Sequence, residues 1–122
     1  GHRALSEHKT LSVSWSHYLI AQQMRVNNNK QGISYHDEVI NSLQQCEKSL
    51  YVLKELKSKK YQQMLSQYNK TASKVKLYSS VRDSLPKENL DSIGSILLIS
   101  VQSTCNQIAA AAEQGVLSKI SM

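Results

Sequence analysis

"ILLISVQSTCNQIAAAAEQG", residues 96–115, decides the fold. Four aliphatic residues open it, four alanines stand near its end, and no charge appears before Glu113. A membrane span needs about 20 mainly apolar residues. Between Ile93 and Ala112 the chain instead places Ser95, Ser100, Gln102, Ser103, Thr104, Asn106 and Gln107, too many polar groups for a lipid-exposed helix. At about 100° per residue, Ile93, Leu97, Leu98, Val101, Cys105, Ile108 and Ala112 share one broad arc, and Ser95, Gln102 and Asn106 lie opposite. That is the pattern of an amphipathic helix in a bundle core. Ile96 and Ile99 fall outside both arcs, beside Ser103 and Ala110. Two fates are open to that strip: cover by a further helix of the same chain, or docking of a partner helix.

Working outward, Pro86 ends the preceding region, because the residue before a proline disfavours helical backbone. The last helix is expected from Lys87 or Asn89 to about Gln114, with Gly115 as its cap. Upstream, Ser34 is placed to cap a helix through the Asp37 N–H. From there to Leu85 neither Gly nor Pro occurs. Val39, Leu43, Cys46, Leu50 and Leu53 form a 4-3-4-3 seam that is interrupted at Lys57 and resumes with Tyr61, Met64, Tyr68 and Val75. Region 34–85 is therefore one long helix or a pair bent near 57–60; the pair is more compact. A first helix spans about 4–27. Ala4, Leu11, Trp15, Tyr18, Leu19 and Val26 lie on its main face, and Val13, Ile20 and Met24 form a second stripe. Four glycines and one proline in 122 residues are too few for a turn-rich sheet protein. The fold class is all-α: an antiparallel helical bundle of three or four long helices, with coiled-coil-like seams. Residues 1–122 form a single domain, expected to be a piece of a larger protein.

The charge is concentrated. Eight lysines and one acid, Glu55, lie between Lys48 and Lys76, so that segment accounts for the whole net charge of +6. Lysines contact phosphate as point charges, but the segment has no arginine, so the forks that read nucleobases are missing there. Lys59, Lys60, Lys70 and Lys74 share a wide arc and are the candidates for steering an acidic partner.

No catalytic set is recognisable. His2, His8, His17 and His36 have no metal-type spacing, and the chain holds no Gly-rich phosphate loop and no nucleophile elbow. Cys46 and Cys105 have no metal spacing either. So few cysteines in a helical chain suit two thiols in a reducing compartment, cytoplasmic or nuclear, with a disulfide as the alternative.

The expectation is a non-catalytic protein–protein interaction module of a scaffold, adaptor or regulatory subunit. It needs no cofactor, metal or small-molecule substrate. Its partner is an amphipathic or acidic helix of another protein, or a second copy in a homodimer. Ile96, Ile99, Ser103 and Ala110 supply the apolar contact, and Lys59, Lys60, Lys70 and Lys74 the charge. The alternative is electrostatic binding of nucleic acid or an anionic membrane through segment 48–76.

Overall fold

The computed structural model describes residues 13–28 and 34–122. Among the described residues four α-helices pack against one another: α1 Val13–Asn28, α2 Tyr35–Glu55, α3 Tyr61–Val81 and α4 Lys87–Ile120. A short 3-10 turn, Arg82–Ser84, leads from α3 toward Pro86. Among the described residues there is no strand. Ala4, Leu11, His2 and His8 lie outside the described residues, as do the side chains of Val13, Met24 and Val26.

Each boundary has a local cause. Ser34 opens α2 with a capping box. Its hydroxyl accepts from the Asp37 N–H at 3.3 Å, and the Asp37 carboxylate accepts from the Ser34 N–H at 3.4 Å. The two halves satisfy backbone donors that the first helical turn leaves open.

Region 34–85 is bent, and the bend is a Schellman motif without glycine. The Ser58 N–H reaches back to the Leu53 carbonyl and the Lys57 N–H to the Lys54 carbonyl, both at 3.0 Å. Lys57 takes the left-handed position that this geometry needs, with φ 53°. A side chain there costs about 1 kcal/mol against glycine. Lys57→Gly is therefore expected to stabilise the domain by about 0.5–1 kcal/mol, read as a higher urea midpoint at unchanged slope. An unchanged or lower midpoint would show that the left-handed backbone carries no cost at this turn.

α2 occupies the middle of the bundle and touches α1, α3 and α4. The seam residues Val39, Leu43, Cys46, Leu50 and Leu53 are all buried. α2 and α3 run antiparallel, and so do α3 and α4. The long contact between α2 and α4 is consequently parallel. Tyr35 meets Gly94, Cys46 meets Cys105, and Leu56 meets Gly115, each pair 59 residues apart along the chain. Three contacts in constant register over about six turns mean that the two helices lie side by side without sliding.

Small residues allow this closeness. A Cβ added at Gly94 would sit 2.9 Å from the Tyr35 Cβ and 3.0 Å from the Tyr78 hydroxyl. Gly115 was expected to end the last helix. It lies inside α4 instead, which runs on to Ile120. The glycine serves close approach, because a Cβ there would meet Leu56 Cδ1 at 2.8 Å.

The cysteines sit at the centre of this contact and form a disulfide, with Cα atoms 5.1 Å apart. The two free thiols expected from the sequence are therefore replaced by a covalent staple between α2 and α4.

α1 packs along α2, not along the outer face of α4. Trp15 and Leu19 are buried, but Ile20 is 47% exposed, so the second apolar stripe of this helix is not covered at that position. A polar chain ties three helices together. Trp15 Nε1–H donates to the Tyr68 hydroxyl at 2.9 Å, and Ser16 Oγ–H donates to a Glu47 carboxylate oxygen at 3.2 Å. Tyr68 also hydrogen-bonds Glu47. Burial pushes the Tyr68 hydroxyl upward, and the Glu47 charge pushes it the same way. Burial raises Glu47 as well, opposed by its hydrogen bonds from Ser16 and Tyr68. A buried indole N–H and phenol need such partners, since an unmet polar group costs about 1–3 kcal/mol. Lys76 lies 4.9 Å above the Trp15 ring and completes the seam.

Candidate partner-binding surface

The strip read from α4 is open. Ile96 is 68% exposed and Ile99 is 69% exposed. Ser103 and Ala110 are exposed too. No helix of the described chain covers them, because α1 went to the far side of α2.

Ile96 belongs to a groove between α3 and α4 of about 540 Å³. Leu77, Tyr78 and Val81 form its α3 wall, and Ile93, Ile96 and Leu97 form its α4 wall. The sequence explains the lining. Leu77 and Val81 are one turn apart on α3, and Ile93, Ile96 and Leu97 share one side of α4. Leu77 is 66% exposed and Ile93 43% exposed, so the groove floor is apolar while its mouth stays wet. Ile93, which the helical period assigns to the buried arc, faces this groove instead. Two polar contacts hold the walls in place. The Tyr78 hydroxyl donates to the Leu90 carbonyl at 3.3 Å, and the Thr71 and Thr104 hydroxyls meet at 3.2 Å. Burial raises Tyr78 above an ordinary phenol, which keeps it a neutral donor.

Ile99 points elsewhere. It is rotated about 60° from Ile96 around α4, on the outward face with Ser103 and Ala110. The apolar strip and the groove therefore meet only at Ile96.

The lysines divide in the same way. Lys74 lines the groove, and Lys70 stands one turn before it, exposed. Lys59 and Lys60 lie at the turn before α3. Fourteen residues of helix, about 21 Å, separate Lys60 from Lys74. Lys76 is turned toward Trp15. Of the tyrosines interleaved with the lysines, Tyr68 is buried in the core, Tyr61 is half-buried, and Tyr51 is 63% exposed.

A second groove, of about 480 Å³, runs beside the disulfide between α2 and α4. Ser42, Gln45, Ser49, Gln102 and Asn106 make it polar.

By length and composition α4 is apolar enough to cross a membrane, with mean hydropathy 1.2 over its best window. In the bundle Leu97, Leu98, Val101 and Ile108 of this helix are buried against α2 and α3, and 28% of that window is buried in all.

The YuaE family model matches residues 26–122. The chain belongs to the YuaE family. No curated protein and no solved structure matches it. The YuaE match begins near the end of α1 and takes in all of α2, α3 and α4. The groove, the outer face of α4, the disulfide and both close-packed glycines therefore fall within the YuaE segment, whereas Trp15 falls outside it.

Proposed function

We propose that this YuaE domain is a non-catalytic protein–protein interaction module that receives a helix on its α3–α4 face. One observation carries the reading. Large aliphatic side chains at Leu77, Ile93 and Ile96 stand in water around a formed groove, and Ile99 stands exposed on the adjoining outward face of α4. Leaving one large aliphatic side chain exposed forgoes about 1.5–3 kcal/mol of burial. A contiguous set of them marks a contact surface more often than an isolated leucine does. A helix laid along the groove would present apolar residues at i, i+3 or i+4 to its floor, and acidic ones to Lys70 and Lys74 at its edge.

The disulfide bears on where the module works. A staple between α2 and α4 persists in an oxidising compartment, so an extracellular or cell-surface setting fits it better than the cytoplasm.

The test places a photoreactive phenylalanine analogue at position 96, with exposed Ser73 as the control site. Irradiation in cells is expected to attach position 96 to a helical segment of a protein, with little attachment from position 73. Equal labelling from both positions would remove the reading.

A further inference from the structure

The outward face of α4 carries a second repeat that the bundle leaves unused. From Ile96 to Ile120, exposed positions follow an unbroken 3-4-3-4-3-4-3 spacing, the a and d sites of a heptad. Ile96 and Ile99 stand at one end, 68% and 69% exposed. Leu117 and Ile120 stand at the other, 46% and 73% exposed. Ser103, Asn106, Ala110 and Glu113 lie between them, all exposed.

We infer that this face pairs with itself, so that two copies of the chain dimerise through antiparallel α4 helices. The inference rests on the interaction-module reading and names its occupant.

The pattern is its own complement when reversed. Ile96 falls opposite Ile120 of the second copy, and Ile99 opposite its Leu117. Ser103 falls opposite its Glu113, and Asn106 opposite its Ala110. Every a site then meets a d site, as antiparallel pairing requires, and both ends of the seam close with aliphatic layers. In the centre the Ser103 hydroxyl donates to the Glu113 carboxylate. A parallel arrangement would set Glu113 against Glu113, and like charges across an interface are repulsive.

Charge also selects this face. From Ser92 to Ser118, α4 carries one charged residue, Glu113, although the chain as a whole is at +6. Two copies that approach along α3, whose charges are Lys70, Lys74 and Lys76, bring lysine toward lysine. Along α4 the flanking residues are Ser95, Ser100, Gln102, Gln107 and Gln114, none of them charged.

Size is sufficient. Ile96 to Ile120 spans about 36 Å of helix, and two such faces approach the lower limit of stable interfaces, about 1,200 Å² in total. At each end the second copy's Ile120 lies next to the groove, against Leu77 and Ile93. The stripe drifts by about 20° per heptad on a straight helix, which a partner crossing at about +20° follows.

The experiment uses the whole chain with its disulfide intact. Sedimentation from about 1 µM to about 1 mM should show a monomer–dimer equilibrium. Glu113→Leu should tighten it about tenfold. Ile99→Asp should weaken it about a hundredfold, since symmetry counts each change twice. Ile99→Cys and Leu117→Cys are then oxidised singly and mixed. A mixed cross-linked dimer is expected, with little product from either variant alone, because the two copies of position 99 lie about 27 Å apart along the seam.

Cross-linking of each variant to itself, with none gained on mixing, would overturn the antiparallel register. A Glu113→Leu variant no tighter than the parent would overturn the dimer through this face. Monomers at every concentration overturn the dimer. In that case attachment of position 96 to a foreign protein leaves the module reading standing, while attachment to nothing, to nucleic acid or to lipid removes both.

Discussion

Removing the Cys46–Cys105 disulfide is expected to cost about 4 kcal/mol of folding stability. The bond closes a loop of 59 residues. Opening it returns to the unfolded chain the conformational freedom that the cross-link had withheld, about 4 kcal/mol at 25 °C for a loop of that length. A domain of this size is stable by about 5–15 kcal/mol, so the loss is a large share of the total. Alanine is the appropriate replacement, because it leaves no hydroxyl at the buried Cys46 site and suits a helix interior. Urea unfolding followed by circular dichroism measures the change, and the melting temperature should fall by about 15 °C. Cys46→Ala, Cys105→Ala and the double variant should all lose about the same amount, since either change breaks the same bond. That non-additivity separates the cross-link from ordinary side-chain packing. A double variant that loses less than about 1 kcal/mol would show that the staple does not constrain the unfolded chain.

Gly94→Val is expected to cost about 3 kcal/mol, whereas Gly115→Ala is expected to be neutral or mildly stabilising. Both glycines face α2 at close quarters, and both helix interiors would gain about 1 kcal/mol from alanine on propensity alone. The difference lies in what the new carbon meets. At Gly94 the nearest atom is the Tyr35 Cβ, 2.9 Å away, and a Cβ cannot swing aside without its backbone. α2 would have to move, yet the disulfide holds it one stretch further along. Overpacking of that kind costs about 1–3 kcal/mol, and the branched valine stands at the upper end. At Gly115 the neighbour is the terminal methyl of Leu56, on a half-buried side chain that can change rotamer. Equal effects of the two substitutions in urea unfolding would show that the α2–α4 register does not set the spacing.

Much of the core was legible because it rests on a local rhythm. Val39 to Leu53 repeat with a helical period, and every one of them is buried. Other features depend on partners distant in sequence. The bend at Lys57 carries no glycine, so its left-handed turn left no compositional trace. Gly115 carried the familiar signal of a helix end, but the same missing Cβ serves a close helix–helix contact, and nothing nearby in sequence separates the two uses. The pairing of Cys46 with Cys105 follows from the parallel register of α2 and α4, which no spacing along one helix reveals. Ile96 and Ile99 were legible as surplus apolar positions. The groove beside Ile96 was not, because its other wall is Leu77 and Val81 on α3, and only tertiary packing brings those walls together.

Trp15 is the only tryptophan, and it joins α1 to α3 through its hydrogen bond to Tyr68 and its contact with Lys76, while its ring stacks on Tyr18, centroids 5.2 Å apart. The molecule therefore carries a built-in optical label at the edge of its core. Emission from that indole follows the attachment of α1, while backbone ellipticity follows the helices together. Comparing the two signals during unfolding separates release of α1 from unfolding of α2, α3 and α4, with no dye attached.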